Sequence, residues 1–406
     1  MPRWIRRTAL APFLLAFLLA LALPACDSGG DEPPTRQDSV IAGLNFTRLF
    51  APATPAEVAD VRADWAARTP TAAAIEVRGP APAPDGSQIY VVSHALTGPG
   101  AAGRHYGFVR VPAGASNFPV LVVHHGGDQG VFAGAPNANV GVLAVAQAFP
   151  GIASKTVQVF PSYRSEPLGT QGFEPVLGPP VVSGGTASPW DYDVDDAMAL
   201  LSAVLARDEF AAATDAGRVG ALGFSRGGNT ALLHQIRDRR VRAVTEYYGP
   251  SDFYNVGAQQ LALALLGGAG PTTMQAAMGL PGAPYLYTSV LNPLRNADGS
   301  VNEGADYARA RLEVARRSPS LFTSSLRNVQ VHHHRRDGVV PVAFSEAFDV
   351  AAQTARPQGA YEFNLYGEAG AGDPSVHNPA AMPESLGRTD AFLTQTLVNA
   401  GRMAVW

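Results

Sequence analysis

The sequence predicts an α/β fold, a mostly parallel sheet with helices on both faces. Three observations carry that prediction. From about residue 119 to the end, short β-branched apolar runs alternate with helix-like runs, as successive strand–helix units do. Residues 218–233 (RVGALGFSRGGNTALL) pass from a buried-strand pattern through a glycine-flanked turn into a helical pattern. The chain has 406 residues, 46 % hydrophobic and only 16 % charged, which is ample for a large core and unlike a disordered composition.

The first segment, 1–25, reads as a signal peptide. Arg3, Arg6 and Arg7 precede an apolar run from Ala9 to Leu23. That run is shorter than the ~20 residues a membrane-spanning helix needs. It closes in Leu23-Pro24-Ala25-Cys26, which resembles a bacterial lipobox. The resemblance implies that the Cys26 thiol is lipidated and becomes the first mature residue. The expected location is therefore outside the cytoplasm, lipid-anchored to a cell-envelope membrane. Cleavage would remove three arginines and no acid, taking the formal net charge from −4 to −7. A single cysteine excludes an intrachain disulfide and a Cys-based zinc site. Residues 26–40 begin DSGGDEPPT after the cysteine, polar and rich in Gly and Pro, and read as a flexible tether. The folded domain is expected over 41–406.

Within it, 74–77, 88–95 and 105–111 read as antiparallel strands at one edge. Runs at 120–124, 156–160, 218–222, 242–247, 329–333 and 361–365 read as the strands that follow. Asp193 to Leu205 carries Val194, Met198, Leu201, Val204 and Leu205 at helical spacing, with Ser188-Pro189 ahead as a start signal. Residues 254–318 separate two strands by far more than the usual 2–6 residues. They contain LALALL at 261–266 and an arginine-rich helical run at 307–317. This stretch reads as a helical cap inserted over one end of the sheet.

Gly223-Phe224-Ser225-Arg226-Gly227 is a G-x-S-x-G pattern between strand and helix, the context in which that pattern exposes a nucleophilic serine. The segment resembles the nucleophile elbow of the α/β-hydrolase superfamily. It is most like the catalytic domain of the prolyl oligopeptidase family and its acyl-esterase relatives. The resemblance extends over roughly 88–395 and includes Trp190, Asp193 and Asp196 upstream and Ser318-Pro319 downstream. It implies an α/β-hydrolase fold with an eight-stranded sheet. It also implies a triad in the chain order Ser, acid, His. Arg335-Arg336-Asp337-Gly338-Val339-Val340-Pro341 resembles the family's D-x-x-V-P signature, which makes Asp337 the orienting acid and leaves Asp373 as its rival. His377 is the one histidine after Asp337 and becomes the expected base. Two oxyanion donors are expected, the N–H of Arg226 and one from His125-Gly126-Gly127-Asp128, at Gly127 or Asp128. Tyr163 and Arg164, just after a strand, are candidates for substrate contact, Arg164 as a partner for a carboxylate.

Several classes drop out. An acidic balance argues against nucleic acid as a partner. No phosphate loop or dinucleotide fingerprint occurs in strand–turn–helix context, so no cofactor is inferred. His332-His333-His334 alternates across a strand and cannot converge on one metal ion. The acidic run 191–196 lacks the glycine and glutamate of a calcium loop. The expectation is a lipid-anchored serine hydrolase acting on a peptide or ester. A prolyl oligopeptidase-like domain without its propeller and a stand-alone carboxylesterase are the two forms. A non-catalytic binding lipoprotein of the same fold is the alternative.

Overall fold

The computed structural model describes residues 40–41, 43–134, 141–256, 258–259, 262–263, 290–294 and 306–400. The expected signal peptide and the expected tether up to residue 39 lie outside these residues, as do 257, 260–261, 264–289 and 295–305 of the expected cap. Residues 38–406 group as one unit.

A central sheet of nine strands organises this unit. In chain order they are β1 Ala73–Pro82, β2 Gln88–Ala95, β3 Arg104–Val111, β4 Phe118–His124, β5 Val157–Pro161, β6 Thr214–Phe224, β7 Val241–Tyr247, β8 Arg327–His334 and β9 Gln358–Tyr366. Across the sheet they run β9-β8-β7-β6-β4-β5-β3-β2-β1. The six strands from β9 to β5 are parallel, and β3, β2 and β1 pair antiparallel at one edge. The sheet is thus mostly parallel, with nine strands where eight were expected. All nine sit at segments the sequence marks, because each alternates or runs apolar between turn residues.

The helices used below are α1 Pro55–Ala67, α2 Val142–Ala148, α3 Tyr192–Ala206, α4 Arg226–Arg237, α5 Asp306–Ala315, α6 Ala343–Ala355 and α7 Pro383–Leu393. Both sheet faces are covered, as an all-parallel centre requires. Along β4, Leu121 and Val123 point to a core that includes Val142 and Val145 of α2 and Phe392 and Leu393 of α7. Val120 and Val122 point to the opposite core, with Leu200, Leu201 and Val204 of α3, Leu232 of α4 and Phe348 of α6. That alternation is the period of two along a strand. The start of α3 departs slightly from the sequence reading. The helix begins at Tyr192, whose N–H reaches the Ser188 hydroxyl at 3.3 Å, while Pro189 lies ahead of it.

A third core joins the N-terminal segment to the described part of 254–318. Leu44, Phe46, Leu49, Val61 and Trp65 pack with Leu291, Leu294, Tyr307, Ala310 and Val314. Helix α1 opens with a capping box: Thr54 and Glu57 cap each other's backbone. Arg311 of α5 fastens this segment. Its guanidinium reaches Glu57 Oε1 at 2.6 Å and Oε2 at 2.8 Å, and the carbonyls of Arg48 at 2.7 Å and Ala51 at 2.9 Å. Replacing Arg311 by Met strands these acceptors and is expected to cost about 2–3 kcal/mol, read as a lower Tm. The Arg311 hydrogen bond holds the Glu57 carboxyl down, from 4.5 to about 2. A depressed folded-state value means the pair stabilises fully at neutral pH and is lost as pH falls through about 2. The Tm gap between wild type and Arg311→Met should therefore be wide at pH 7 and narrow steadily below pH 4. An equal gap at pH 7 and pH 2 would contradict this.

Candidate active site

The carboxyl ends of the parallel strands meet at one edge of the sheet, where open α/β sheets place their ligands. Six segments arrive there: 125–128 after β4, 163–166 after β5, Ser225 after β6, Tyr248 after β7, Asp337 after β8, and His377 beyond β9.

Ser225 sits between β6 and α4 with φ 54° and ψ −123°, a left-handed conformation that costs a non-glycine residue about 1–3 kcal/mol. Its N–H bonds to the Tyr247 carbonyl at 2.8 Å, and its carbonyl accepts from Gly228 N–H at 2.8 Å. The flanking glycines are required by contact. A Cβ on Gly223 would lie 2.0 Å from the Gly227 carbonyl oxygen, and one on Gly227 2.2 Å from that of His124. The Ser225 side chain does not cap its own helix, which leaves the hydroxyl for another partner.

That partner is His377. Its Nε2 is 2.9 Å from Ser225 Oγ, and its Nδ1 is 2.6 Å from Asp337 Oδ2. A carboxylate only accepts, so Nδ1 carries the proton and Nε2 accepts from the serine hydroxyl. Asp337 is fixed through its other oxygen. Oδ1 accepts from Val339 N–H at 2.8 Å and Val340 N–H at 2.9 Å. The turn is held from behind by His333, whose Nε2–H donates to the Val340 carbonyl at 2.9 Å while Nδ1 accepts from Ser345 at 2.7 Å. Burial pushes His333 down to about 4, so it stays neutral. The ring of Tyr248, a residue with φ 43°, lies 4.3 Å from that of His377. Asp373, the rival acid, instead bonds Ser375 N–H at 2.9 Å and shapes the turn that delivers His377.

Arg226 is the first residue of α4, so its N–H has no intrahelical partner. Beside it runs the 125–128 loop. Gly126 is the residue pressed against the serine: a Cβ there would be 3.1 Å from Ser225 Cβ. Gly127 follows with φ 62°, and a Cβ on it would meet open space. Gly127 and Asp128 are both half-exposed at this edge.

Tyr163 and Arg164 require a correction, because both are fully buried and engaged by other protein groups. Arg164 holds Asp196 in a two-pronged ion pair at 2.7 and 3.0 Å, and donates to the carbonyls of Pro99 and Thr97. Tyr163 lies flat between the His125 ring, 4.2 Å away, and the Arg226 guanidinium, 4.4 Å away. The Arg226 side chain bonds Glu166 and Asp193, and reaches the Gly127 carbonyl at 3.2 Å. Trp190 Nε1–H donates to the Arg226 carbonyl at 3.0 Å. Trp190, Asp193 and Asp196 are thus the underside of the elbow. The remaining aspartates of the acidic run, Asp191 and Asp195, pair with Arg68 at 2.6 and 3.1 Å. Asp195 also pairs with Arg237 of α4. Sequence reasoning passed over Glu166 and Tyr248, and weighed His333 only as a metal ligand. Glu166 carried a signal, as a carboxyl two residues from Arg164 in the short segment after the strand.

His332 bonds Tyr366 OH at 2.8 Å, and His333 supports the Asp337 turn. Among the described residues no group of three or more His, Cys, Asp or Glu side chains could hold a metal ion.

No family model matches the chain, and no curated protein matches it. Solved structures do. The fold is that of the α/β hydrolases. Acetyl xylan esterase 1 from Thermoanaerobacterium sp. JW/SL YS485 aligns at 16 % identity and a TM-score of 0.50, over 85 % of this chain and 98 % of its own. Acetyl xylan esterase from Paenibacillus sp. R4 aligns at 16 % identity and 0.49, over 85 % and 99 %. An acylaminoacyl peptidase of Pyrococcus horikoshii aligns at 14 % and 0.46, over 74 % of this chain and 41 % of its own.

Proposed function

We propose that this protein is a serine hydrolase that cleaves an acyl bond, in an ester or a peptide. The observation that carries the proposal is the hydrogen-bonded string Asp337–His377–Ser225, with the serine on a strained strand-to-helix turn. An alkyl hydroxyl becomes a useful nucleophile when a neighbouring base takes its proton and a third group orients that base. In this reading Ser225 Oγ attacks the carbonyl and His377 Nε2 receives the proton. Asp337 stabilises the imidazolium. His377 then returns the proton to the leaving group, and water repeats the sequence on the acyl-enzyme. The Arg226 N–H and an N–H of the 125–128 loop would hold the oxyanion. The same atoms serve esters and amides, and a fold does not choose between them. A panel of short p-nitrophenyl esters and blocked dipeptide amides tests the proposal. Turnover of one class names the substrate bond. A folded protein that turns over neither favours a non-catalytic binding role.

We infer also that the chain is exported and lipid-anchored through Cys26, which the lipobox-like sequence supports. Among the described residues no helix is long and apolar enough to cross a membrane. Radiolabelled palmitate fed to expressing bacterial cells should enter the wild type and not Cys26→Ser. Equal labelling of both would remove the anchor.

A further inference from the structure

Beneath the elbow lies a buried group that the triad does not use. Glu166 sits where two segments meet, and both carry candidate oxyanion donors. Through Oε1 it holds the guanidinium of Arg226, whose backbone opens α4. Through Oε2 it faces His125 Nε2 at 3.4 Å, at the head of the 125–128 loop. The same guanidinium grips the loop directly at the Gly127 carbonyl. We propose that Glu166 is a positioning residue, a latch that keeps the 125–128 loop and the Arg226 N–H in register for the oxyanion. This rests on the acyl-transfer reading above.

The chemistry of the latch depends on one proton. His125 Nδ1 is 3.1 Å from the Gly126 carbonyl, which can only accept, so Nδ1 carries the hydrogen and Nε2 presents a lone pair. Glu166 Oε2 opposite it is also an acceptor when ionised. Both atoms are buried without a hydrogen bond. Two facing acceptors repel, and a proton on Oε2 turns the contact into a hydrogen bond. His125 cannot supply that proton as imidazolium, because burial and the Arg226 charge push it down to about 3. The groups facing Glu166 are Arg226 on α4, Asp193 on α3, His125 and Asp128 on the loop, and Tyr163 on its own segment. Burial pushes the Glu166 carboxyl up to about 7; Arg226 opposes the rise, and Asp193 and Asp128 add to it. Above that pH the ionised carboxylate favours the other tautomer of His125, in which the Nδ1 hydrogen has moved to Nε2 and is donated to Oε2. The bond to Gly126, the residue against Ser225, is then lost.

The test compares wild type, Glu166→Gln and Glu166→Ala with p-nitrophenyl acetate from pH 5.5 to 9, alongside fluorophosphonate labelling. Glutamine keeps an oxygen for Arg226 and offers N–H to His125, as the protonated acid does. Glu166→Gln is expected to stay within threefold of wild-type kcat at pH 6 and to lack the fall in kcat that wild type shows above about pH 7. Glu166→Ala is expected to lose 10- to 100-fold in kcat with KM within threefold, a partial loss of one oxyanion donor. A Glu166→Gln profile that keeps the wild-type fall, or Glu166→Ala with wild-type kcat, overturns the latch. If Glu166→Ala does not fold, the glutamine profile decides alone. Wild type that takes no fluorophosphonate and turns over no ester defeats the acyl-transfer reading, and the latch with it. Labelled, active wild type with a profile indifferent to Glu166→Gln defeats the latch only.

Discussion

Alanine at Ser225 is expected to lower kcat by about 10⁶, and adding His377→Ala to it should lower kcat hardly further. The non-additivity follows from the geometry. The 2.9 Å contact between His377 Nε2 and Ser225 Oγ is one functional unit, since a base without its nucleophile has no proton to take. Stability should hardly change in the serine variant. Ser225 is held at φ 54° by its Tyr247 and Gly228 hydrogen bonds, both made by backbone, so Ser225→Ala keeps the strained turn and the fold. Single and double variants with equal Tm and equal residual rates are the expected outcome. Rate losses that multiply would mean that the two side chains act independently.

The second large effect is expected at Asp337→Asn, a loss of about 10⁴ in kcat with the structure unchanged. The Asp337 carboxylate has separate duties for its two oxygens. Oδ1 is tied to the N–H groups of Val339 and Val340, and Oδ2 meets His377 Nδ1 at 2.6 Å. In asparagine the amide oxygen must take the place of Oδ1, because only an acceptor can face two N–H donors. Its NH₂ then points at His377 Nδ1 and forces the proton to Nε2. The imidazole would donate to Ser225 where it needs to accept. The side chain fills the same space, so packing is kept while the tautomer is inverted. A milder result, near tenfold, would show that the His377 tautomer is set elsewhere.

Much of this site was legible in the chain. Strands and elbow rest on local pattern, the glycines round Ser225 above all, while the triad order, with Asp337 in its turn and one histidine after it, is what the hydrolase resemblance implies. The central strands fell close to their expected segments because parallel strands buried on both faces must be nearly all apolar. Where sequence failed, the deciding contact was long-range. Tyr163 and Arg164 follow a strand that ends at the site, which made them plausible ligand contacts. Whether such a side chain faces the cleft or the layer beneath depends on Asp196, some thirty residues on, and on the loop after β4. The 125–128 loop does reach Ser225, yet the residue pressed on it is Gly126, which glycine spacing alone does not distinguish from Gly127. Helix α1 carried a readable signal, Thr54-Pro55-Ala56-Glu57, the opening of a capping box. Its bulky apolar residues are only Val58, Val61 and Trp65, set among alanines, so the helical period shows more weakly there than in α3.

The central claim, that Ser225 is an activated nucleophile, is tested most directly by mapping a covalent adduct. The folded protein is treated with a fluorophosphonate at neutral pH, digested, and its peptides weighed by mass spectrometry. The expected result is a single stoichiometric adduct on the peptide that contains Ser225, formed far more slowly in His377→Ala. An adduct on another serine, or none on folded wild type, would contradict it.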